Sequence, residues 1–210
     1  MASSTQVFEL FPTPVVHVPG AIQAEFAAQL CTQLSPLAHT VNGRSDALSH
    51  TQVLRPESEP LLHSLALQLG PHVQAFGALI FGESLPWLIK EMWINVLQHG
   101  GQQTLHNHAN CFVSGVLYLS VSHPSANTTF VRALGGREFV FSNQHPGSAV
   151  GPFNADKWVA PDARVGDLLL FPSHLLHEVP PNQGGQRISL SFNAIARRIN
   201  AWGYTISLEP

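Results

Sequence analysis

Residues 102–121 read QQTLHNHANCFVSGVLYLSV, and this stretch decides the fold. From residue 111 onward it is rich in β-branched and aromatic residues, which predicts a strand. His106 and His108 lie two positions apart just before that run. Residues i and i+2 of a strand point to the same face, so two imidazoles can aim at one point if the strand has already begun. Imidazole is the commonest metal ligand, although an isolated His-x-His is more often a polar strand entrance.

Similar runs recur through the last two thirds of the chain, mostly separated by Gly, Pro, Asn or Asp. They cover residues 87–98, 111–121, 128–134, 137–142, 157–160, 167–171, 176–180, 187–196 and 204–208. Many short strands at this spacing are typical of a β-sandwich or barrel.

The N-terminal third has a different pattern. Apolar residues at helical spacing predict helices over 21–34 and 61–81, the second beginning at Pro60 and divided at Gly70-Pro71. Residues 8–20 indicate a short extended segment, and residues 36–56 a loop. The prediction is one domain over 1–210, mainly β with N-terminal helices. A mainly helical part (1–85) packs on a double-stranded β-helix core (86–210) of the jelly-roll or cupin-like kind.

Composition excludes several classes of protein. Hydrophobic residues make up 44% and charged residues 11% of the 210, which is typical of a folded globular chain. The net charge is −3 without a Lys/Arg run, so nucleic acid and anionic membranes are not expected partners. The sequence has no secretory signal pattern, no apolar run of about 18 residues and no disulfide framework. A cytoplasmic location is therefore expected.

A second chemically informative stretch is GDLLLFPSHLLHEVPPNQGGQRISLSFN, residues 166–193. It predicts a buried strand, a turn, a strand carrying His177, a Gly-rich hairpin and a strand that begins at Arg187. Alternation along this last strand places four polar residues on one face: Arg187, Ser189, Ser191 and Asn193. An inward-facing arginine needs an anion, and a ligand carboxylate held bidentately would supply it. Three histidines and an arginine ten residues after the last suggest a mononuclear iron site beside a 2-oxoacid site.

With these motifs the chain resembles the Fe(II)/2-oxoglutarate-dependent oxygenases, specifically a small bacterial and phage group of them. The stretches that carry the resemblance are residues 10–15, 92–119 and 166–193, in that order. The resemblance implies a double-stranded β-helix oxygenase domain. His106 would be the first iron ligand and His177 the distal one, while Arg187 would bind the distal carboxylate of 2-oxoglutarate. Further residues expected to bind this cosubstrate or line its pocket are Ser189, Asn95, Asn110, Tyr118 and Asn193.

The sequence departs from the superfamily at the second ligand position. The usual motif is His-x-Asp/Glu, whereas here the position is His108 and no acid is adjacent. Three interpretations remain open: His108 is a ligand in an all-histidine triad, another group or water coordinates beside it, or the metal site is degenerate. His174 competes with His177 for the distal position. The offset to Arg187 favours His177 and leaves His174 as a residue that borders the substrate.

The resemblance implies Fe(II), 2-oxoglutarate and O₂ as cofactor and cosubstrates. The reaction would be oxidation, by default hydroxylation, of a small molecule coupled to decarboxylation of 2-oxoglutarate to succinate, with no catalytic residue beyond the metal centre. One alternative is a cupin-like three-histidine iron dioxygenase that needs no 2-oxoglutarate, in which Arg187 holds a substrate carboxylate. Another is a non-catalytic binding domain on this fold. The expected partner is the small-molecule substrate, with no nucleic acid or membrane. The oligomeric state stays open, a homodimer included.

Overall fold

The computed structural model describes residues 7–132 and 145–209, so the strand predicted over 137–142 lies outside the described residues. The helices are α1 (Ala24–Leu34) and α2 (Pro60–Phe81). The strands are β1 (Val16–Val18), β2 (Thr40–Val41), β3 (Leu48–His50), β4 (Trp87–Leu97), β5 (Gln103–His106), β6 (Val113–Tyr118), β7 (Thr129–Val131), β8 (Lys157–Val159), β9 (Leu168–Pro172), β10 (His177–Val179), β11 (Arg187–Ala196), β12 (Arg198–Ala201) and β13 (Tyr204–Ser207). Short 3₁₀ turns cover Ser35–Leu37 and Pro124–Ala126.

Antiparallel pairing assembles these strands into two main sheets. The larger sheet has the order β1-β9-β6-β11-β4-β3-β2, and the smaller has the order β5-β10-β7-β8. Strands β12 and β13 form a separate hairpin. Two antiparallel sheets with these long connections form a jelly roll, which confirms the predicted double-stranded β-helix.

The main core lies between the helices and one face of the larger sheet. Strand β11 contributes Ile188, Leu190 and Phe192 to it, as the alternation of its sequence predicts. Buried leucines of α1 and α2 pack against these side chains. The helices therefore cover one face of the sheet and leave its other face for the site.

The opposite face of the larger sheet meets the smaller sheet. A second apolar cluster there includes Val116 and Tyr118 of β6, Phe130 of β7 and Phe171 of β9. The rings of Phe130 and Phe171 meet edge to face at 5.0 Å between centroids. This cluster holds the two sheets together at one end of the space between them.

Helix α2 runs unbroken past Pro71, so the predicted division at Gly70-Pro71 is wrong. An interior proline removes one backbone hydrogen bond and costs a helix about 3 kcal/mol. The stripe of buried residues continues on both sides of the proline, with Leu65 and Leu69 before it and Val73 and Phe76 after it. Packing of this stripe on the sheet outweighs the local cost.

The predicted loop over 36–56 contains two strands, which is a second difference from the sequence prediction. Strands β2 and β3 extend the larger sheet beyond β4. Only Leu48 of β3 is fully buried, so these residues carry no apolar pattern. Backbone pairing of β3 with β4, and of β2 with β3, makes them strands. Strand β12 was not predicted either, because its sequence, RINA, also lacks an apolar pattern.

Asp167 fastens the N-terminal segment to the larger sheet. Its carboxylate accepts hydrogen bonds from the backbone N–H of Gly20 at 2.8 Å and of Arg164 at 2.9 Å, and lies 3.0 Å from His17 Nε2. Burial alone raises the pKa of Asp167, but these three contacts outweigh it and the pKa falls below its usual value.

Neither helix of the described ranges combines the length and the apolarity needed to cross a membrane.

Replacement of Gly115 by alanine should destabilise the protein. A Cβ atom at this position of β6 would lie 2.2 Å from the ring of Phe192 on β11, so the ring or a strand must move. We expect the free energy of unfolding in urea to fall by about 1–3 kcal/mol. Gly43→Ala is the control, because a Cβ there meets no atom within 4 Å. Equal stabilities of the two variants would contradict the close packing of β6 on β11.

Candidate metal centre

Strand pairing brings the first and last predicted ligands together. His106 is the last residue of β5, His177 is the first residue of β10, and the two are direct partners across the antiparallel pair. Directly opposed residues project their side chains from the same face of a sheet. The imidazole centroids of the two residues are accordingly 4.2 Å apart.

His108 reaches the same place by a different route from the one expected. The strand ends at His106 instead of beginning at the His-x-His pair, so His108 lies in the following loop. Its backbone N–H donates to the carbonyl of Ser173 at 2.9 Å, which ties this loop to the residue after β9. The ring centroid of His108 lies 5.3 Å from that of His106 and 5.0 Å from that of His177.

The three histidines form a group that can hold one metal ion. One ring nitrogen from each of His106, His108 and His177 lies within 4.8 Å of the others. Within residues 7–132 and 145–209, no other group of three or more His, Cys, Asp or Glu side chains has this geometry. The group contains no carboxylate.

Hydrogen bonds fix the tautomers of His106 and His177. Nδ1 of His106 lies 2.8 Å from the carbonyl oxygen of Thr104, and Nδ1 of His177 lies 2.9 Å from that of Leu175. A carbonyl oxygen only accepts, so each Nδ1 carries the hydrogen. The lone pair of each neutral ring is therefore on Nε2, where a metal can take it.

Hydrogen bonds to side chains fix the tautomer of His108. Its Nδ1 lies 2.8 Å from both Asn193 Oδ1 and Ser114 Oγ. The amide nitrogen of Asn193 donates to a Glu91 carboxylate oxygen at 2.7 Å, so the amide must present its oxygen to the imidazole. His108 thus also carries its hydrogen on Nδ1. All three rings fit a divalent transition-metal ion, which accepts neutral imidazole nitrogen.

Burial keeps the three imidazoles neutral. It lowers the pKa of His106, and together with the neighbouring imidazoles it lowers the pKa of His108 to about 4 and that of His177 to about 3. His177 is the most enclosed of the three, with the Phe171 ring edge-on at 4.7 Å. Ligands of this kind do not have to lose protons before they bind a metal at neutral pH.

Arg187 is a buried cation on the wall of the space between the sheets. Its side chain is 4% exposed, and its Nε and Nη1 donate to Ser122 Oγ at 3.2 Å and Ser189 Oγ at 3.1 Å. The guanidinium carbon lies 5.2 Å from the centroid of the Tyr118 ring. Among the residues that the structure describes, no carboxylate forms an ion pair with it. A buried guanidinium in this state is suited to an anionic ligand.

One cavity between the sheets joins Arg187 to the histidine group. The predicted residues that line it are His106, His108, His177, Arg187, Ser189 and Asn95. Apolar side chains of Leu48, Leu97, Val116 and Val179 complete much of its wall.

The other predicted site residues lie beside the cavity or away from it. Tyr118 lies under Arg187 and its hydroxyl contacts Thr128 at 3.2 Å, while Asn193 contacts the outer nitrogen of His108. Asn110 differs from the prediction, because it is exposed at a backbone φ of 58° and does not line the cavity. His174 is exposed and lines a separate surface groove beside Phe112, so it is not part of the histidine group.

Several polar residues of the site were not identified from the sequence. Trp93 and Glu91 alternate with apolar residues along β4, which is the signal that places them on the same face as Asn95. Ser122 lies outside the predicted strands, and Thr128 is the first residue of a predicted strand, 128–134, that gave no candidate. Only the folded chain shows that Ser122 meets Arg187.

The stability of the metal-free protein should fall as the pH decreases from about 6.5 towards about 4. In the unfolded chain these imidazoles have a pKa of about 6.5, so below this pH the unfolded chain binds protons that the folded protein does not. Urea unfolding of chelator-treated protein at a series of pH values measures the effect. His177→Leu should flatten the slope, whereas His63→Ala, at an exposed position of α2, should leave it unchanged. Equal slopes in His177→Leu and wild type would contradict burial of a neutral ring.

A family model matches the chain over the segment that carries this site. The family is described as "Putative 2OG-Fe(II) oxygenase", and the match covers residues 91–193, from β4 to β11. It includes the three histidines and Arg187. No curated protein matches the chain in sequence.

Solved structures with the same fold include proteins described with bound 2-oxoglutarate or as α-ketoglutarate-dependent. HygX from Streptomyces hygroscopicus, with nickel and 2-oxoglutarate bound, has a TM-score of 0.63 at 16% identity over 88% of this chain and 83% of its own. The α-ketoglutarate-dependent epimerase SnoN from nogalamycin biosynthesis has a TM-score of 0.63 at 16% identity, covering 89% and 80%. A Pseudomonas putida prolyl-4-hydroxylase has a TM-score of 0.59 at 16% identity, covering 88% and 94%.

The family match and the jelly-roll fold agree, and the histidine group lies inside the matched segment. Over residues 91–193 the chain matches the Fe(II)- and 2-oxoglutarate-dependent oxygenases, and its fold is the one found in HygX.

Proposed function

We propose that this chain oxidises a small-molecule substrate with Fe(II), 2-oxoglutarate and O₂, with His106, His108 and His177 as the protein ligands of iron. The observation that carries the proposal is one cavity that contains three neutral imidazoles and a buried arginine unpaired among the described residues. Arg187 binds the distal carboxylate of 2-oxoglutarate, and hydroxylation is the expected outcome for the substrate.

Charge balance supports an all-histidine ligand set. Three neutral imidazoles leave the full charge of a divalent ion in the cavity, and dianionic 2-oxoglutarate neutralises it. A carboxylate ligand would leave the same complex with an extra negative charge. The cost of the all-histidine set is weaker binding of the bare metal, because an anionic ligand is missing.

The chain's own residues orient the reactants and exclude water. Bound Fe(II) supplies the activation of O₂ that couples oxidative decarboxylation of 2-oxoglutarate, to succinate and CO₂, to oxidation of the substrate. The Ser122 and Ser189 hydroxyls hold the Arg187 guanidinium in place before any carboxylate arrives. This preorganisation lowers the entropy cost of binding the cosubstrate. The apolar wall of the cavity keeps bulk water away from the reacting groups.

Neutral side chains line the rest of the described cavity, which supports a small-molecule substrate. Trp93, Asn95 and Gln103 offer an aromatic face and two amides. Such a wall recognises shape and hydrogen-bonding groups more than charge. HygX has also been solved with hygromycin B bound, and SnoN with nogalamycin RO, so relatives with this fold bind small molecules.

The absence of a carboxylate from the histidine group also fits a second candidate function. A three-histidine iron dioxygenase of the cupin kind needs no 2-oxoglutarate, because its substrate chelates the metal directly. Arg187 would then hold a carboxylate of the substrate. Turnover that does not depend on 2-oxoglutarate distinguishes this candidate from the main proposal.

Anaerobic titration of the metal-free protein with Fe(II) and then 2-oxoglutarate tests the function. The wild type should develop the visible charge-transfer band of 2-oxoglutarate chelated to iron. His108→Ala should lose the band because it binds the metal weakly. Arg187→Ala should keep the metal but bind 2-oxoglutarate about 10- to 100-fold more weakly, as expected for loss of hydrogen bonds to a charged group.

Two further variants make the arginine result specific. Arg187→Lys keeps the charge but loses the planar fork, so its affinity for 2-oxoglutarate should lie between those of wild type and Arg187→Ala. Arg198→Ala, at an exposed position of the β12–β13 hairpin, should titrate like wild type. Iron binding without the band in wild type would reject the 2-oxoglutarate proposal in favour of the second candidate. Failure to bind iron would reject both and indicate a non-catalytic domain.

A further inference from the structure

The three imidazoles are held by two different kinds of contact. His106 and His177 each donate from Nδ1 to the backbone carbonyl two residues earlier, at Thr104 and Leu175. His108 instead donates to side chains. Its direction therefore depends on residues whose identity the sequence can change, at the ligand position where the superfamily usually has a carboxylate.

These side chains form a row across three adjacent strands of the larger sheet. Asn193 of β11 is the direct partner of Glu91 on β4 and of Ser114 on β6. The chain of contacts runs from His108 Nδ1 to Asn193 Oδ1 at 2.8 Å, and from Asn193 Nδ2 to Glu91 Oε1 at 2.7 Å. Ser114 Oγ adds a contact of 2.7 Å to the same amide oxygen.

A β-bulge places the carboxylate at the end of this row. Asn193 pairs with Glu91, but the next residue of β11 pairs with Ile89, so Lys90 has no partner across the strands. A bulge re-aims the side chains beside it. Lys90 Nζ lies 3.1 Å from the same Glu91 oxygen, on the outer side of the row. The Glu91 side chain is 25% exposed. The Asn193 amide, which donates a hydrogen bond to it, connects it to His108 at the cavity.

We propose that Glu91 is a positioning residue for the metal centre, acting through the Asn193 amide to fix the tautomer and direction of His108. The inference rests on the proposed function, because it concerns the same metal site. The negative charge of Glu91 holds the Asn193 NH₂ group and polarises the amide. The amide oxygen then accepts the His108 Nδ1–H more strongly and leaves the Nε2 lone pair aimed at the metal.

A double-mutant cycle on Co(II) affinity tests the inference without reference to turnover. The variants are Glu91→Gln, Asn193→Ala and the two combined. Affinity is measured from the visible absorbance of bound Co(II) in competition with a chelator. We expect Glu91→Gln to weaken Co(II) binding about 10-fold, the lower end of the range for partners of metal-bound histidines. In the Asn193→Ala background the same change should alter affinity less than twofold, because the connection to His108 is already lost.

Glu178→Gln is the matched control. Glu178 is next to His177 in sequence, its side chain is 22% exposed, and it pairs with a lysine, Lys157, at 2.6 Å. It thus resembles Glu91 in charge, in exposure and in having a lysine partner, but it does not contact an imidazole in the hydrogen bonds of the described residues. Its Co(II) affinity should equal that of wild type.

An exchange of the two side chains separates positioning from mere structural support. Glu91→Gln combined with Asn193→Asp places the carboxylate directly against His108 and turns the amide into its outer donor. Co(II) affinity should return to at least the wild-type value, and the Co(II) absorbance spectrum should match that of wild type. This variant also keeps the test decisive if Asn193→Ala does not fold.

Three results would overturn the inference. The first is a Glu91→Gln affinity within twofold of wild type, and the second is an equal loss with and without Asn193. The third is an exchanged variant that stays as weak as Glu91→Gln. Wild-type protein that binds no Co(II) would overturn the proposed metal site itself, and the inference with it. Normal Co(II) binding without a 2-oxoglutarate band would reject the function but leave the cycle interpretable.

Discussion

The alternation of side chains along β11 is the constraint on which the rest of the structure depends. The strand is hydrogen-bonded to β4 on one side and to β6 on the other, so its register is fixed from both directions. One face supplies Phe192 to the helical core, and the other supplies Arg187 to the cavity. A slip by one residue would exchange the two faces and bury a guanidinium among leucines. The apolar core therefore sets the position of the Arg187 guanidinium in the cavity.

The fold was predictable where a side-chain pattern and the backbone pairing agree. Strands β4, β9 and β11 are long or strongly apolar, and the sequence indicates all three. Strand β5 is four residues with the sequence QTLH and has no such pattern. It is a strand because β10 pairs with it, and because Thr104 contacts Arg44 and Ser45 of the loop between β2 and β3. Local composition does not contain that information.

The site residues that the sequence predicts also differ in kind from those that only the folded chain shows. Histidine and arginine are chemically distinctive, so their spacing suggested a metal site and an anion partner, and the resemblance to the oxygenases implied which residue has which role. Serine, threonine and asparagine are common, and their roles depend on which strand lies beside which. The resemblance to the oxygenases predicts Asn110 at the pocket, yet its backbone φ of 58° leaves the residue exposed. Asn193 was expected to line the pocket, and the register with Glu91 and Ser114 instead places it behind His108.

The two ways of holding the imidazoles have unequal consequences for how such a site can diverge. The hydrogen bonds of His106 and His177 go to the main chain, so substitutions around these rings cannot easily change their orientation. The surroundings of His108 are three exchangeable side chains on neighbouring strands. Point mutations in that row can alter the electronic character of the His108 ring while the backbone stays as it is. Sequence divergence can therefore adjust one of the three imidazoles and leave the other two in place.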